Sequence, residues 1–271
     1  MAGRMIWFML SFGQSGLTAL PRRVPLVVTF RGDDLEGIVG DDGRYLMAGR
    51  VLRRMSQVAA LRADATIVVS RHLARHLPRP PTAVIPSGID FEVFRPIGAA
   101  EARGSLGLPA GKRLVLFVGD PRETRKRRAL AEEAARMAGA DLVVAWGQPR
   151  EAIPVYMGAC DVLVFTSIHE GSPNAVKEAL ACDLPVVSVD VGDVGERLAG
   201  VEGCVVCPDD RPQALAEALR VVLDRGGRVD GRAAVRDLDE AALTARVVDL
   251  YEGVLARVGR GRRVASLTRG K

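Results

Sequence analysis

Two glutamates flank the start of a predicted helix in the segment TSIHEGSPNAVKEALACDLPVV, residues 166–187. Glu170 lies in the loop after a predicted strand, and Glu178 lies about two turns inside the helix. Ser172 is the predicted N-cap and Pro173 the predicted first helical residue, because both types are favoured at those positions. Carboxylates accept hydrogen bonds from hydroxyl groups, so the two glutamates could hold the hydroxyls of a sugar and a ribose.

The start of this helix is also a candidate phosphate site. The free backbone N–H groups of Asn174, Ala175 and Val176 would point out of the helix, along with the positive end of its dipole. A diphosphate bound there would lie between the hydroxyls that the two carboxylates could hold. The segment therefore predicts a phosphate site with a carboxylate on either side that could accept from hydroxyl groups.

The elements that would position these groups alternate along the chain. Short β-branched runs alternate with longer segments of helical period, which is typical of parallel strands joined by crossover helices. The fold class is therefore α/β. The predicted strands are 5–12, 26–30, 65–70, 83–86, 114–118, 142–146, 162–166, 186–189 and 203–206, and the last two predicted helices are 212–223 and 240–258. A stretch rich in Pro, Gly and Ala, residues 95–111, predicts an interdomain linker.

Composition limits the classes of function. The chain of 271 residues is 48% hydrophobic and has no apolar run long enough to span a bilayer. A net charge of +5 favours an anionic partner, but 4% aromatic residues and the absence of a nucleic-acid motif argue against nucleic acid. The four cysteines are predicted to be reduced thiols of a cytoplasmic protein. They are Cys160, Cys182, Cys204 and Cys207.

No metal site is predicted. His72 and His76 are four residues apart on a predicted helix and could share an ion, but no glutamate follows in the H-E-x-x-H manner. Cys204 and Cys207 form a C-x-x-C pair without a second pair at zinc-finger spacing. The sequence therefore favours a surface helix at the histidines and a strand at the cysteines.

The glutamate segment resembles a known family. Glu170 and Glu178, followed by Leu-Pro-Val-Val and VDVGDVGERL, closely resemble the E-x7-E signature of family 4 glycosyltransferases. The resemblance implies a GT-B fold, in which two Rossmann-like doubly wound domains face a cleft and the second binds a nucleotide sugar. It also implies that Glu170 contacts the donor sugar and Glu178 the ribose. Ser172, Pro173, Asn174 and Ala175 would then contribute to donor binding.

The segment LFVGDPRETRKRRALAEEA, residues 116–134, is similar to the family's strand, glycine turn and basic loop. The resemblance implies that Gly119 forms the turn and that Lys126 binds the donor diphosphate. Arg122 is expected as the second cation, and Arg125 remains an alternative because Asp120 stands where the family often has an arginine. Two cations would stabilise a departing nucleoside diphosphate without a metal.

Two further segments resemble the family's first domain. VVTFRGDD, residues 27–34, is similar to its strand and His-Gly-x-Asp turn, with Arg31 in place of the histidine. Arg31, Gly32 and Asp34 are therefore candidates for the acceptor side. VIPSGIDFEVFRP, residues 84–96, is similar to the segment before the interdomain crossover, and Gly88 is expected where the backbone closely approaches the donor.

The resemblance also predicts the domain organisation. Residues 1–96 form an acceptor-side domain that we expect to be N-terminally incomplete, and residues 97–235 form the donor-binding domain. Residues 236–258 form a return helix that packs on the first domain, and residues 259–271 form a basic tail. An incomplete first domain would favour self-association or a partner protein that covers it.

The predicted function is that of a retaining glycosyltransferase of cell-surface polysaccharide or glycoconjugate synthesis. The donor would be a UDP-, GDP- or ADP-sugar, the acceptor a saccharide or a lipid-linked saccharide, and no metal or other cofactor is expected. The protein would be cytoplasmic, with its basic tail on the anionic inner face of the plasma membrane. The alternative is a non-catalytic nucleotide-sugar-binding remnant or a partner subunit of a glycosyltransferase.

Overall fold

The computed structural model describes residues 7–10, 24–40 and 44–268. The chain divides into two compact units, the first formed by residues 1–87 and 241–271 and the second by residues 88–240. Each unit contains a parallel sheet of its own. The predicted α/β class is confirmed.

The first unit contains a four-stranded parallel sheet whose strands follow chain order. Its strands are β1 (Trp7–Leu10), β2 (Leu26–Phe30), β3 (Ala65–Val68) and β4 (Ala83–Val84). The helices between them are α1 (Asp33–Glu36), α2 (Met47–Arg62) and α3 (Arg71–Ala74). The core of this unit includes Phe30, Leu35 and Leu73, each almost inaccessible to solvent. Because α1 follows β2 and α3 follows β3, both helices begin at the carboxyl edge of the sheet.

The second unit contains a five-stranded parallel sheet in the order β6-β5-β7-β8-β9. Its strands are β5 (Leu114–Val118), β6 (Asp141–Ala145), β7 (Val162–Phe165), β8 (Val186–Val189) and β9 (Val205–Cys207). Its helices are α4 (Ala99–Leu106), α5 (Arg128–Met137), α6 (Ile153–Ala159), α7 (Asn174–Ala181), α8 (Val194–Leu198), α9 (Pro212–Arg225) and α10 (Gly231–Ala234). Single turns of 3₁₀ helix lie at 124–126, 150–152 and 236–238.

The strand order of this second sheet reverses between β5 and β7. From β5 the chain first adds β6 on one side and then crosses to β7 on the other side. In open parallel sheets, ligands bind outside the carboxyl ends of the strands at such a reversal. The loops that follow β5 and β7 are therefore the ones that the topology favours for binding.

The predicted linker at 95–111 is wrong. Residues 99–106 form α4, which packs against α6 within the second unit. Arg103 is 8% exposed, and its guanidinium donates to the carbonyl of Ala159 at 2.8 Å and to Asp161 at 2.9 Å. It also donates to the carbonyls of Ala110 and Lys112. This stretch is thus held in the unit by a buried arginine, which the Pro-, Gly- and Ala-rich composition did not indicate.

The units divide at 87/88 and 240/241, whereas the sequence predicted 96/97 and 235/236. The difference arises because the two crossing segments bond to each other inside the second unit. Ile89 donates to the carbonyl of Leu238 at 2.7 Å, and Glu240 donates to the carbonyl of Ile89 at 3.1 Å. Residues 88–96 and 236–240 therefore belong with the donor-side sheet.

The last helix, α11 (Glu240–Thr268), starts where the sequence predicts and runs ten residues past the predicted end at Val258. Residues 259–268 of the predicted basic tail are therefore helical. The helix belongs to the first unit from residue 241 onwards, and Arg246 donates to the carbonyl of Val84 at 3.0 Å.

The cysteines lie in the second unit as free thiols. Cys160, Cys182 and Cys207 are buried, and burial raises the pKa of Cys160 and of Cys182 to about 12. Over the part of the chain that the structure describes, no helix has the length and apolarity needed to cross a membrane.

The fold makes a specific demand at Gly192, in the loop after β8. Its φ of +60° favours glycine, and a Cβ placed there would overlap the carbonyl oxygen of Glu170 and lie 3.0 Å from that of Gly171. Gly200 also has a positive φ, of +79°, but a Cβ placed there would meet no atom within 4 Å. Comparing alanine substitutions at the two positions therefore distinguishes the cost of backbone strain from the cost of steric overlap.

We predict that Gly200→Ala lowers the free energy of unfolding by about 1–2 kcal/mol, which is the cost of a left-handed backbone for alanine. Gly192→Ala should cost more than Gly200→Ala by at least about 1 kcal/mol, because overpacking adds to the same backbone cost. Urea denaturation followed by circular dichroism measures both. Equal losses in the two variants would contradict the proposed contact between the β8 loop and the Glu170 loop.

Candidate active site

A lysine and a glutamate meet at the point where the strand order of the second sheet reverses. Lys126 follows β5, Glu170 follows β7, and Lys126 Nζ lies 2.8 Å from Glu170 Oε1. The side chains are 18% and 16% exposed, so both charges are partly withdrawn from water. The structure thus brings together two residues that the sequence placed 44 positions apart.

The backbone around Lys126 is fixed by bonds to the end of β7. Thr166 donates its hydroxyl hydrogen to the carbonyl of Lys126 at 2.7 Å, and Arg127 Nε donates to the carbonyl of Thr166 at 2.6 Å. Arg127 has a φ of +51°, which turns the chain from the 3₁₀ turn into α5. Ile168 N–H also donates to the carbonyl of Arg125 at 3.0 Å. The two loops are therefore joined along their backbones as well as by the ion pair.

Gly119, which directly follows β5, lies against the lysine side chain. Its φ is +144°, and a Cβ there would lie 3.5 Å from the Lys126 side chain. The turn predicted at Gly119 therefore lies directly beside Lys126.

The predicted cap of the following helix is wrong. The N-cap is Pro173 and α7 begins at Asn174, so Glu178 lies just over one turn inside the helix. Ser172 does not cap because its hydroxyl is bonded elsewhere. It donates to Asp193 at 2.8 Å and accepts from the buried Lys177 Nζ at 3.2 Å.

The amino end of α7 presents the groups that the sequence assigned to a phosphate. The first backbone N–H groups of any α-helix have no partner within the helix. In α7 these belong to the residues from Asn174 onwards, and Asn174 is exposed while Ala175 is partly exposed. The helix therefore offers hydrogen-bond donors and a positive dipole end to an anion.

Glu178 is a half-buried carboxylate on α7. Burial raises its pKa, while the positive charges of Arg150 and Lys177 act in the opposite direction. Arg150 also stacks on Phe94, with its guanidinium carbon 5.2 Å from the ring centroid. Glu178 can thus accept hydrogen bonds in a site that is partly shielded from water.

Arg122, the second cation expected at the diphosphate, is far more exposed than Lys126. Arg122 is 73% exposed, forms a two-bond ion pair with Asp120 at 3.0 and 2.9 Å, and stacks on Trp146 at 4.6 Å. Arg125 pairs with Glu123. The choice between Arg122 and Arg125 as the second cation therefore stays open.

Gly88 lies at a close approach of two backbone segments. A Cβ at this position would lie 2.6 Å from Glu240 Cα, so glycine is required by the chain itself. The donor contact expected for Gly88 stays a prediction.

The acceptor-side candidates lie in the first unit, at the carboxyl end of β2. The Asp34 carboxylate accepts from the backbone N–H groups of Arg31 and Gly32 at 3.0–3.2 Å. Burial raises its pKa to about 6. Arg31 donates to the Ser87 hydroxyl at 2.9 Å. Asp34 therefore closes its own turn, and Arg31 is the side chain of this group that carries charge at the surface.

Sequence reasoning missed Lys177, Asp193 and Gly192 as parts of the site. Lys177 is 1% exposed and Asp193 is 4% exposed, and both bond to Ser172. A signal existed for Lys177, because it is one of four lysines in an arginine-rich chain. Asp193 and Gly192 lie within the quoted VDVGDVGERL segment, but only the fold brings that segment against Glu170 and Ser172.

The arrangement provides one half-buried cation, a helix amino end and two carboxylates along one sheet edge. A diphosphate could bind the lysine and the helix N–H groups, while the carboxylates accept hydrogen bonds from hydroxyls on either side. Among the described residues, no His, Cys, Asp and Glu group of metal-ligand geometry lies in this unit.

Comparisons with protein families match both units. Residues 110–225 match the model of glycosyl transferases group 1, and residues 6–93 match that of glycosyltransferase family 4. The two matches cover most of the chain, and the first includes Lys126, Glu170 and Glu178.

Curated relatives include the D-inositol 3-phosphate glycosyltransferases of Mycobacterium tuberculosis and Mycobacterium bovis. Each is 28% identical over 187 residues, covering 56% of this chain. The match spans 39% of the length of these relatives.

Solved structures show the fold. Sucrose-phosphate synthase from Thermosynechococcus elongatus is 22% identical, with a TM-score of 0.73 over 91% of this chain and 73% of that chain. Anabaena HepE in complex with UDP is 16% identical, with a TM-score of 0.68 over 89% of this chain and 76% of that chain. A Rickettsia africae glycosyltransferase is 13% identical, with a TM-score of 0.66 over 92% and 76%.

The two family matches agree with the sheet topology and with the lysine and two glutamates at the carboxyl edge of the second sheet. The chain belongs to the group 1 and family 4 glycosyltransferases of the GT-B fold.

Proposed function

We propose that this chain acts as a retaining glycosyltransferase that moves a sugar from a nucleoside diphosphate sugar to a saccharide or lipid-linked acceptor. The observation that carries the proposal is the Lys126–Glu170 pair at the strand-order reversal, beside the amino end of α7. Cell-surface polysaccharide or glycoconjugate synthesis is the proposed setting.

The proposed chemistry needs only the charges that the second unit presents. The bond between the sugar C1 and the diphosphate oxygen breaks, and Lys126 and the helix N–H groups stabilise the negative charge that develops on the leaving group. The acceptor oxygen bonds to C1 from the side that the diphosphate leaves, and its proton passes to a phosphate oxygen. No metal takes part in this proposal.

The ion pair between Lys126 and Glu170 would rearrange when the donor binds. Lysine would turn to the diphosphate, and Glu170 would accept from sugar hydroxyls. Because the two groups satisfy each other beforehand, neither charge is left unpaired in a partly buried site. UDP is the proposed nucleotide, with support from the UDP and UDP-glucose complexes of HepE.

We predict that Lys126→Met weakens UDP-sugar binding by about 10- to 100-fold, the value of one charge-assisted hydrogen bond. Lys112→Ala is the matched control, because Lys112 precedes β5 at the opposite edge of the sheet and pairs with Asp141. Its affinity should equal that of the wild type. Isothermal titration with UDP-, GDP- and ADP-sugars measures all three proteins, with and without a chelator.

The outcomes separate the two candidate functions. Equal affinity of the Lys126 and Lys112 variants would contradict the donor site proposed here. Binding that depends on Lys126, combined with neither transfer nor hydrolysis of the donor, would favour the non-catalytic nucleotide-sugar-binding alternative. Binding that a chelator abolishes would contradict metal-independent donor binding.

The first unit carries a surface suited to an anionic bilayer. The exposed face of α2 presents Met47, Val51, Val58 and Leu61, whose spacing of 4, 7 and 3 residues places them on one side of the helix. The same helix contains four exposed arginines and no acidic residue. They are Arg50, Arg53, Arg54 and Arg62. Apolar residues flanked by arginines suit the interface of an anionic membrane, so we place the peripheral contact here as well as on residues 259–271.

We predict that the chain sediments with phosphatidylcholine vesicles containing one-quarter phosphatidylglycerol and not with pure phosphatidylcholine. Arg50→Ala with Arg54→Ala should reduce this binding by about 30-fold, from about 1 kcal/mol per arginine. Arg262→Ala with Arg263→Ala tests the predicted tail in the same assay.

Sedimentation unchanged in the α2 double variant would contradict docking through this helix. Light scattering of the wild type tests the alternative that this face of α2 mediates self-association. A dimer that Val51→Asp with Leu61→Asp converts to a monomer would assign α2 to self-association instead.

A further inference from the structure

Three side chains with metal-binding atoms meet at the carboxyl edge of the first sheet. Glu36 ends α1, which follows β2, while His72 lies in α3 and His76 just beyond it, after β3. Since β2 and β3 are adjacent parallel strands, the segments after them lie side by side. The sequence indicated the two histidines and no third ligand, and the fold supplies Glu36.

The ligand atoms converge closely. One donor atom from each of the three side chains lies within 4.8 Å of the other two. His72 Nε2 contacts Glu36 Oε1 directly, and His76 Nε2 lies 3.7 Å from the same oxygen. The imidazole ring centroids are 5.8 Å apart at an interplanar angle of 65°, so the two rings meet edge to face. An ion between them would need only small side-chain movements.

The three side chains differ in their exposure to solvent. The Glu36 side chain is 5% exposed, while His72 is 35% and His76 is 26% exposed. An ion here would rest on a buried carboxylate, be held by two imidazoles at the surface, and keep one side open to water or a ligand.

The backbone that carries the ligands is fixed from several sides. Ser70 caps α3 by accepting from Leu73 N–H at 3.3 Å, and Gln57 of α2 donates to the carbonyl of His76 at 3.1 Å. Leu35 and Leu73, next to Glu36 and His72, are both fully buried. Metal sites depend on such support, because it limits the positions of the ligating side chains.

The chemistry of the three donors indicates the class of ion. Two imidazole nitrogens and one carboxylate oxygen, with an open fourth position, form the His₂Glu set that suits zinc and similar first-row divalent ions. Magnesium and calcium prefer oxygen ligands in larger number. We propose that Glu36, His72 and His76 form a binding site for a zinc-class divalent ion in the first unit, built from residues other than those proposed to bind the donor.

The test uses the tag-free 271-residue chain, stripped with a chelator and returned to chelator-free buffer. Titration with Zn²⁺ should give saturable binding of one ion per chain, and titration with Mg²⁺ should give none. His72→Asn and His76→Asn should each weaken zinc affinity by about 100-fold or more, because even supporting partners of a metal site contribute about 10- to 100-fold. Visible absorption of the Co²⁺-loaded chain should change in the same variants.

Arg75→Ala is the matched control, since Arg75 is exposed and directly precedes His76. Its zinc affinity should equal that of the wild type. His169 and the four cysteines are retained in every variant, so a loss of affinity is assigned to the three proposed ligands.

Circular dichroism establishes that each variant is folded. If a histidine variant does not fold, Glu36→Gln replaces it, because glutamine has nearly the same volume and keeps an acceptor oxygen. Zinc affinity that is unchanged in the folded histidine or Glu36 variants would overturn the site. A folded wild-type chain that does not take up zinc would overturn it as well.

Discussion

The candidate donor site depends on one contact, the ion pair between Lys126 and Glu170 across the point where the strand order reverses. Each residue belongs to the loop of a different strand, and β5 and β7 are neighbours in the sheet although helix α5, strand β6 and helix α6 separate them in the chain. Both side chains are largely removed from solvent, so removing one would leave the other charge poorly compensated. Two hydrogen bonds of Thr166, one to the carbonyl of Lys126 and one from the Arg127 side chain, also hold these two loops together. Neither bond uses the charged groups of the ion pair, so those groups can still bind a ligand.

The sequence predicted the strands of the second sheet well, because each is a short β-branched run with clear ends. β5 and β8 have the predicted bounds, and β6, β7 and β9 differ by one or two residues. Local composition was misleading at 95–111, where the decisive interaction is a buried Arg103 bonded to the carbonyl of Ala159 and the carboxylate of Asp161, both more than 50 positions away. A propensity argument cannot detect such a contact, since it depends on distant residues that the fold alone brings near.

A motif indicated the residues of the candidate site, but the sequence did not indicate the long-range contacts that surround them. Glu170, Glu178 and Lys126 followed from spacing and resemblance, and the structure places Lys126 on Glu170. Ser172 was assigned as a cap because serine usually caps, yet Asp193 and Lys177 bind its hydroxyl. At a functional site, tertiary hydrogen bonds can override a local preference of this size.

The positions of the basic residues say more about ligand binding than their total number does. The chain has 38 basic residues and a net charge of +5, which the sequence could relate only to some anionic partner. Several arginines are internal donors instead, since Arg103, Arg228 and Arg232 bond to backbone carbonyls within the second unit. These guanidinium groups hold loops together and contribute little to the attraction of an anionic ligand. The cations that we propose for anions lie at the carboxyl edge of the second sheet, on the exposed face of α2 and in residues 259–271. A diphosphate and a bilayer surface would therefore use different parts of the basic charge.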